Sequence, residues 1–199
     1  MAFLRTGAHR RTSGGLKRAS LLRLVLATML LSGGRDAPAE TTPPSEYQLK
    51  AVFLFHFAQF VEWPPDAFPA AHTPLVIGVL GEDPFGAYLD ETVGGETVNN
   101  RALVVHRYRR VEEIQTCHVL FISQSEAGRL EEILTRLQGR HILTVGDTEG
   151  FARRGVMIRF ALDANKIRLR VNLAAAQDAH LTISSKLLRP AEIVAPGED

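Results

Sequence analysis

The chain's single cysteine, Cys117, stands directly before His118 in QTCHVLFISQSE, Gln115 to Glu126, with Ser123 and Ser125 close behind. A thiol beside an imidazole suggests a cysteine nucleophile and its general base, because the thiolate is the attacking species. The spacing opposes that chemistry. The apolar run after Cys117 reads as a strand, where neighbours point to opposite faces, so the imidazole is turned away from the adjacent sulfur. Cys117 is expected to be a structural thiol at the start of a buried strand, unpaired within the chain because there is no second cysteine.

Three other groupings have the right residue types for a site. GVLGEDPFG holds Gly81 and Gly86 around Glu82 and Asp83, between a strand and a helix, where phosphate loops sit. It matches neither glycine-rich phosphate motif, and its two carboxylates repel phosphate. Gly81, Glu82, Asp83 and Gly86 are instead a candidate small-ligand cleft near a topological switch point. Ser184, Ser185 and Lys186 have the composition of a serine–lysine dyad, but their adjacency fits turn capping better. His56, His72, His106, His118, His141 and His180 show no three- or four-residue pairing of the metal-binding type, and His56 reads as a core histidine. No catalytic set, metal site or cofactor is expected.

The elements that hold these residues begin after a leader. Residues 1–39 carry a basic lead, the apolar run Leu21–Leu31 interrupted by Arg23, and the small-residue site Ala37-Pro38-Ala39, which reads as a signal peptide. Export would leave 160 residues. It would also remove seven Lys/Arg and one acid from totals of 23 and 22, giving a net charge of −5 in place of +1. A chain of that sign has no general attraction for nucleic acid or anionic lipid. Residues 40–45 read as a disordered lead, 46–192 as one α/β domain and 193–199 as a flexible tail.

Within the domain, EYQLKAVFLFHFAQFVE predicts a buried helix from Glu46 to Glu62, with its apolar stripe on Leu49, Val52, Phe53, Phe57, Phe60 and Val61. Strands are expected at 74–81, 101–108, 117–123 and 141–147, alternating with helices at 84–93, 111–116 and 125–139, the last with Ser125 as N-cap. That rhythm predicts a mostly parallel sheet with helices on both faces. After a short helix FARRG, the strands GVMIRFAL and KIRLRVNL flank the turn DANK and predict an antiparallel hairpin at the edge of a mixed sheet. A helix at LAAAQDAHL follows.

Five segments in order, LKAVFLFHFAQFVEWP, VIGVLGEDPFG, CHVLFISQSE, ILTVGDTEGFARRGVMI and IRLRVNLAAAQDAHLTISSKLL, resemble the YfiR-like family of periplasmic regulators. The resemblance covers about residues 47 to 190. It implies a non-enzymatic, homodimeric periplasmic repressor that binds the periplasmic sensor domain of an inner-membrane diguanylate cyclase. It further implies release by an outer-membrane, peptidoglycan-associated lipoprotein, with a rise in cyclic di-GMP and biofilm formation. Cys117 matches a family cysteine position, but the family's upstream partner cysteine and later pair are absent. Any disulfide would be intermolecular and would require an exposed Cys117.

The alternating strand at Lys166–Arg170 and the segment after it supply the expected partner surface: Arg168, Arg170, Asn172, Ser184, Ser185, Lys186 and Leu188. The competing reading makes Arg168 and Arg170 a solvated strand face. Two other functions stay open: a small-ligand sensory module at the Gly81–Gly86 cleft, and a thiol hydrolase at Cys117.

Overall fold

In the computed structural model, which describes residues 45–164, 166–195 and 197, Ser45 opens the first helix, α1 (Glu46–Phe60). The leader at 1–39, residues 40–44 and part of the tail lie outside the described residues. The Ser45 hydroxyl accepts the Gln48 N–H at 3.3 Å and the Gln48 side chain accepts the Ser45 N–H at 2.6 Å, a reciprocal cap. The helix stops at Phe60, because Val61–Glu62 become strand β1. Its buried stripe also differs from the expected one. Lys50, Ala51, Leu54, Phe57 and Ala58 face the core, while Leu49 and Val52 are each 41 % exposed. Ala51 and Ala58 are small enough to seat the helix closely, and Lys50 is tolerated there because its ammonium is paired, as described below.

The remaining elements are β2 (Leu75–Leu80), α2 (Ala87–Val93), β3 (Thr97–Val98), β4 (Arg101–Tyr108), β5 (Val119–Ile122), α3 (Leu130–Leu137) and β6 (Leu143–Gly146). Then come β7 (Ile158–Asp163), β8 (Lys166–Val171), α4 (Leu173–Asp178), β9 (Thr182–Ile183), α5 (Ser185–Leu188) and β10 (Glu192–Ile193). Two expected helices shrink. VEEIQT gives one 3-10 turn at Val111–Glu113, and FARRG forms turns only. The helix after β5 begins as a 3-10 segment, Gln124–Arg129, capped by Ser123 rather than Ser125. Ser123 holds the extended conformation of a cap and accepts the Ser125 N–H at 3.4 Å.

Among the described residues, eight strands form one sheet in the order β10-β8-β7-β6-β5-β2-β4-β3, and β1 pairs with β9 in a separate two-stranded antiparallel ladder. The pairs from β4 through β2, β5 and β6 to β7 are parallel. The β7–β8 hairpin is antiparallel, as its alternating pattern predicts, and the short parallel β10 covers part of its outer edge. This is an α/β mixed, mostly parallel sheet flanked by helices. Every residue of β2, β5 and β6 is buried, which explains the unbroken apolar runs of β2 and β5, while in β6 the buried Thr144 hydroxyl accepts the Met157 N–H at 3.1 Å.

Two apolar layers sandwich the sheet. Ile77, Val79, Phe121, Val145 and Phe160 meet α1, α2 and α4 on one face. Leu80, Leu120 and Ile122 meet Leu130, Ile133 and Leu137 of α3 on the other. Gly78 is a strand residue in this second layer because a side chain there would collide. A Cβ would lie 2.8 Å from both Cys117 Sγ and the Tyr108 ring. Beyond 192, Ile193 remains paired with Val171, and the Val194 N–H donates to the Val171 carbonyl at 3.0 Å.

Candidate functional site

Cys117 is buried just before β5, and its thiol donates to the Val119 carbonyl at 3.2 Å. Burial pushes the thiol pKa up to about 12, so it carries almost no thiolate at neutral pH. His118 points to the other side of the strand, as the alternation required. Its Nδ1 accepts the Val76 N–H at 3.0 Å, which assigns the proton to Nε2, 3.3 Å from the Ala67 carbonyl. The ring stacks on Phe68 at 4.5 Å, and Arg101 covers the Phe68 ring at 3.9 Å. Arg101 also donates to the Ala70 and Thr73 carbonyls, so the stack ties the loop after β1 to the sheet. Burial lowers the His118 pKa to about 4, leaving the ring neutral. The pair has the geometry of packing, not of a nucleophile and base. His56 is half-buried between the rings of Phe55 and Phe60, outside the core that the sequence suggested for it.

The sheet order creates a crevice elsewhere. From β2 the chain runs to β4 on one side, and from β5 it runs to β6 on the other, so the connections leave the carboxyl ends of these adjacent strands in opposite directions. Open α/β sheets hold ligands at that position. A cleft of about 430 Å³ lies there, walled by Tyr47, Glu82, Asp83, Ser123, Ser125 and Asp147. Glu82 and Asp83 therefore line it as the sequence suggested. Gly81 and Gly86 do not. Gly81, at φ +90°, lies under Ser125, and Gly86 precedes α2, where its carbonyl accepts from Arg107 at 2.9 Å. Asp83 is engaged twice, by the Phe85 N–H at 2.8 Å and by Arg107 Nε at 2.7 Å. Arg107 also holds Asp90, whose carboxyl falls below the usual range because of that hydrogen bond.

Sequence reasoning missed Tyr47 and Asp147 on the opposite wall and the lysine behind them that fixes Asp147. Lys50, only 3 % exposed, reaches from α1 to Asp147 Oδ2 at 2.6 Å and to Glu46 at 2.5 Å. The Tyr47 hydroxyl donates to the same Asp147 oxygen at 3.0 Å, and the Lys50 ammonium lies 4.3 Å from the Tyr47 ring centre. Burial, with Asp147 second, raises the Tyr47 pKa to about 12. The available signal was a lysine in a phenylalanine-rich helix, three residues after a tyrosine. Its partner lies 97 residues away and cannot be read from spacing.

The expected partner surface divides into two patches and one buried residue. Arg168 and Arg170 share a face of β8 and line a groove of about 1090 Å³. Arg170 meets Glu192 at 3.1 Å, and Arg168 lies 3.8 Å from Asp163. Ser184 caps α5 through the Lys186 N–H, and its own N–H donates to the Phe60 carbonyl at 2.9 Å. Ser185 and Lys186 are exposed and Leu188 is half-buried beside that turn, outside the groove. Asn172 is 4 % exposed and is engaged in the fold. It accepts the Ala175 N–H at 3.1 Å and donates to the Ala152 carbonyl at 3.3 Å, so it presents no surface.

A family model described as YfiR/HmsC-like matches residues 47–192. No curated protein matches the chain. Among solved structures, an ABC domain in complex with L-Trp from Streptococcus pneumonia is 11 % identical, with a TM-score of 0.48, over 72 % of this chain and 60 % of that one. A conserved domain protein from Vibrio cholerae O1 biovar eltor is 15 % identical, with a TM-score of 0.44, over 59 % of this chain and 54 % of that one. The chain thus spans less than two thirds of either structure.

Proposed function

The chain belongs to the YfiR/HmsC-like family, and from that premise we propose that it is a periplasmic negative regulator of an inner-membrane diguanylate cyclase. It binds the cyclase's periplasmic sensor domain, lowers cyclic di-GMP synthesis and restrains biofilm formation. Sequestration by an outer-membrane lipoprotein releases the cyclase, and the repressor works as a homodimer. The observation that carries this reading is the family match across the whole α/β domain, residues 47–192. Among the described residues no helix is long and apolar enough to cross a membrane. The signal peptide at 1–39 and the domain limits of 46–192 belong to the same proposal.

Two surface patches suit a protein partner, the Arg168/Arg170 face and the turn with Ser184, Ser185, Lys186 and Leu188. Deleting the gene in a strain that retains the cyclase should raise cyclic di-GMP, and complementation should reverse the rise. Unchanged cyclic di-GMP with an active cyclase present would refute repression.

A second reading, a small-ligand sensory module, is favoured by the cleft at the carboxyl ends of β2 and β5, where the strand order reverses. The two readings are compatible, since a ligand held there could set the activity of a repressor. Ligand-induced thermal stabilisation of the purified protein tests it.

A further inference from the structure

Both ends of the eight-stranded sheet leave some backbone uncovered, and they do so differently. β3 is two residues long and joins β4 through Asn99-Asn100, whose φ values of 50° and 63° suit a tight two-residue hairpin turn. It pairs with Arg101 and Ala102 of β4, and the Leu103 N–H adds one bond to the Glu96 carbonyl at 3.1 Å. Beyond that point the outer edge of β4, residues 104–108, meets no strand among the described residues.

Two hydrogen bonds fix which way this backbone faces. The Leu103 N–H points to the β3 side, and the Tyr108 carbonyl accepts the Gly81 N–H at 3.0 Å on the β2 side. Strand residues alternate, so Val105 and Arg107 direct their N–H and C=O groups outward. Those groups have no partner among the described residues. The Arg107 side chain is held away by Asp83 and Asp90, and Val104 and Val105 are half-buried. At the other end of the sheet, β10 leaves residues 166–169 of β8 uncovered, but these include Lys166 and Arg168, charges of the kind that blunt an edge. The β4 edge is the better template for a further strand.

Its open stretch is symmetric about His106. An antiparallel copy of itself pairs Val105 with the second copy's Arg107, and Arg107 with its Val105, through the outward N–H and C=O groups. His106 then lies opposite the second copy's His106, on a two-fold axis. The register also ends where it must. The place opposite Leu103 is taken by Glu96 of the same chain, and β4 stops at Tyr108, where it would reach the other copy's Glu96. Arg109 comes next. It engages Glu113 through its backbone N–H alone, and both Arg109 and Glu96 are exposed, with no ion pair among the described residues. Self-pairing therefore sets opposite charges end to end at both ends of the ladder.

From these observations we infer that two copies of the chain pair β4 to β4, antiparallel about His106, and join their sheets into one. The inference rests on the homodimer reading above and names its interface.

Sedimentation of the purified protein over a concentration series, with disulfide trapping, tests it. Wild type should dimerise reversibly. His106→Cys in a Cys117→Ala background should form an intermolecular disulfide under mild oxidant, because directly opposite side chains of such a pair lie about 5 Å apart. Val105→Pro removes an outward N–H without touching the ladder to β2, and should give a folded monomer. Glu96→Arg and Arg109→Glu should each raise the dimer dissociation constant about fivefold, the worth of two surface ion pairs, and the double variant should restore it. A wild-type dimer that is indifferent to both charge reversals and gives no cross-link through His106→Cys overturns the β4 interface and leaves the homodimer reading standing. Wild type that is monomeric at every concentration overturns both. If such a monomer loses repression on Val105→Pro, the edge receives a partner protein's strand and not a second copy.

Discussion

Cys117 and His118 adjoin in sequence and serve opposite faces of one sheet. Strand alternation made that separation readable, but it did not show what each face contains. The thiol lies against Gly78 and Tyr108, with its pKa raised to about 12 by burial. A thiol reagent should therefore label Cys117 only as fast as the protein opens, and labelling of the native protein at the rate of a free thiol would contradict this environment. Cys117→Ala should cost about 1 kcal/mol, the transfer value of a group that size. His118 gives a pH signature. Its folded pKa of about 4 lies below the ordinary value of 6.5. Above pH 6.5 the ring is neutral in both folded and unfolded states, and its contribution is complete. As pH falls from 6.5 to 4, only the unfolded chain takes up the proton, so stability declines across that window and levels off below it. The expected loss is on the order of 3 kcal/mol, the free-energy equivalent of that shift. Urea melts at pH 7, 5.5 and 4 measure it, and His118→Gln should remove that part of the slope.

At the scale of elements, periodicity located α1 and missed its orientation. Spacing alone favoured Leu49 and Val52, whereas the helix buries Ala51, Leu54 and Phe57 together with Lys50. An alanine-lined stripe packs closely against a sheet, and a lysine reads as a surface residue until its partner is known. The partner, Asp147, sits at the end of β6. Lys50→Ala should cost about 3 kcal/mol in chemical denaturation, because it leaves a largely buried carboxylate uncompensated. Lys50→Met combined with Asp147→Leu should recover most of that loss. If the double variant is as unstable as the single one, the ion pair is not the source of the cost. The strands were easier to read. Continuous apolar runs in β2 and β5 reflect burial on both faces, and the alternation in β8 reflects a sheet end. Short elements were not legible: β1, β9 and β10, two residues each, depend on pairings between distant segments.

For the whole molecule, the β-α rhythm announced a parallel sheet, but strand order depends on which way each crossover turns, which no local pattern records. The switch point between β2 and β5 follows from that order. So does the meeting of α1, the loop after β2 and the end of β6 around one cleft, of which the sequence offered only Glu82 and Asp83. At the hairpin end, Arg168 and Arg170 stand on one strand face of a chain whose exported form would carry a net charge of −5. A local positive face on a negative protein can orient an acidic partner during encounter, and such steering weakens with salt. Arg168→Glu with Arg170→Glu removes two positive charges and adds two negative ones. Arg168 is exposed and the Arg170–Glu192 pair lies near the surface, so folding stability should change by no more than about 1 kcal/mol. If this face docks the cyclase sensor domain, association should slow at low ionic strength, the salt dependence should flatten, and cyclic di-GMP should rise toward the deletion level. A doubly reversed variant that still represses fully, at wild-type stability, would make Arg168 and Arg170 a solvated strand face and shift the search to the turn at Ser184–Leu188.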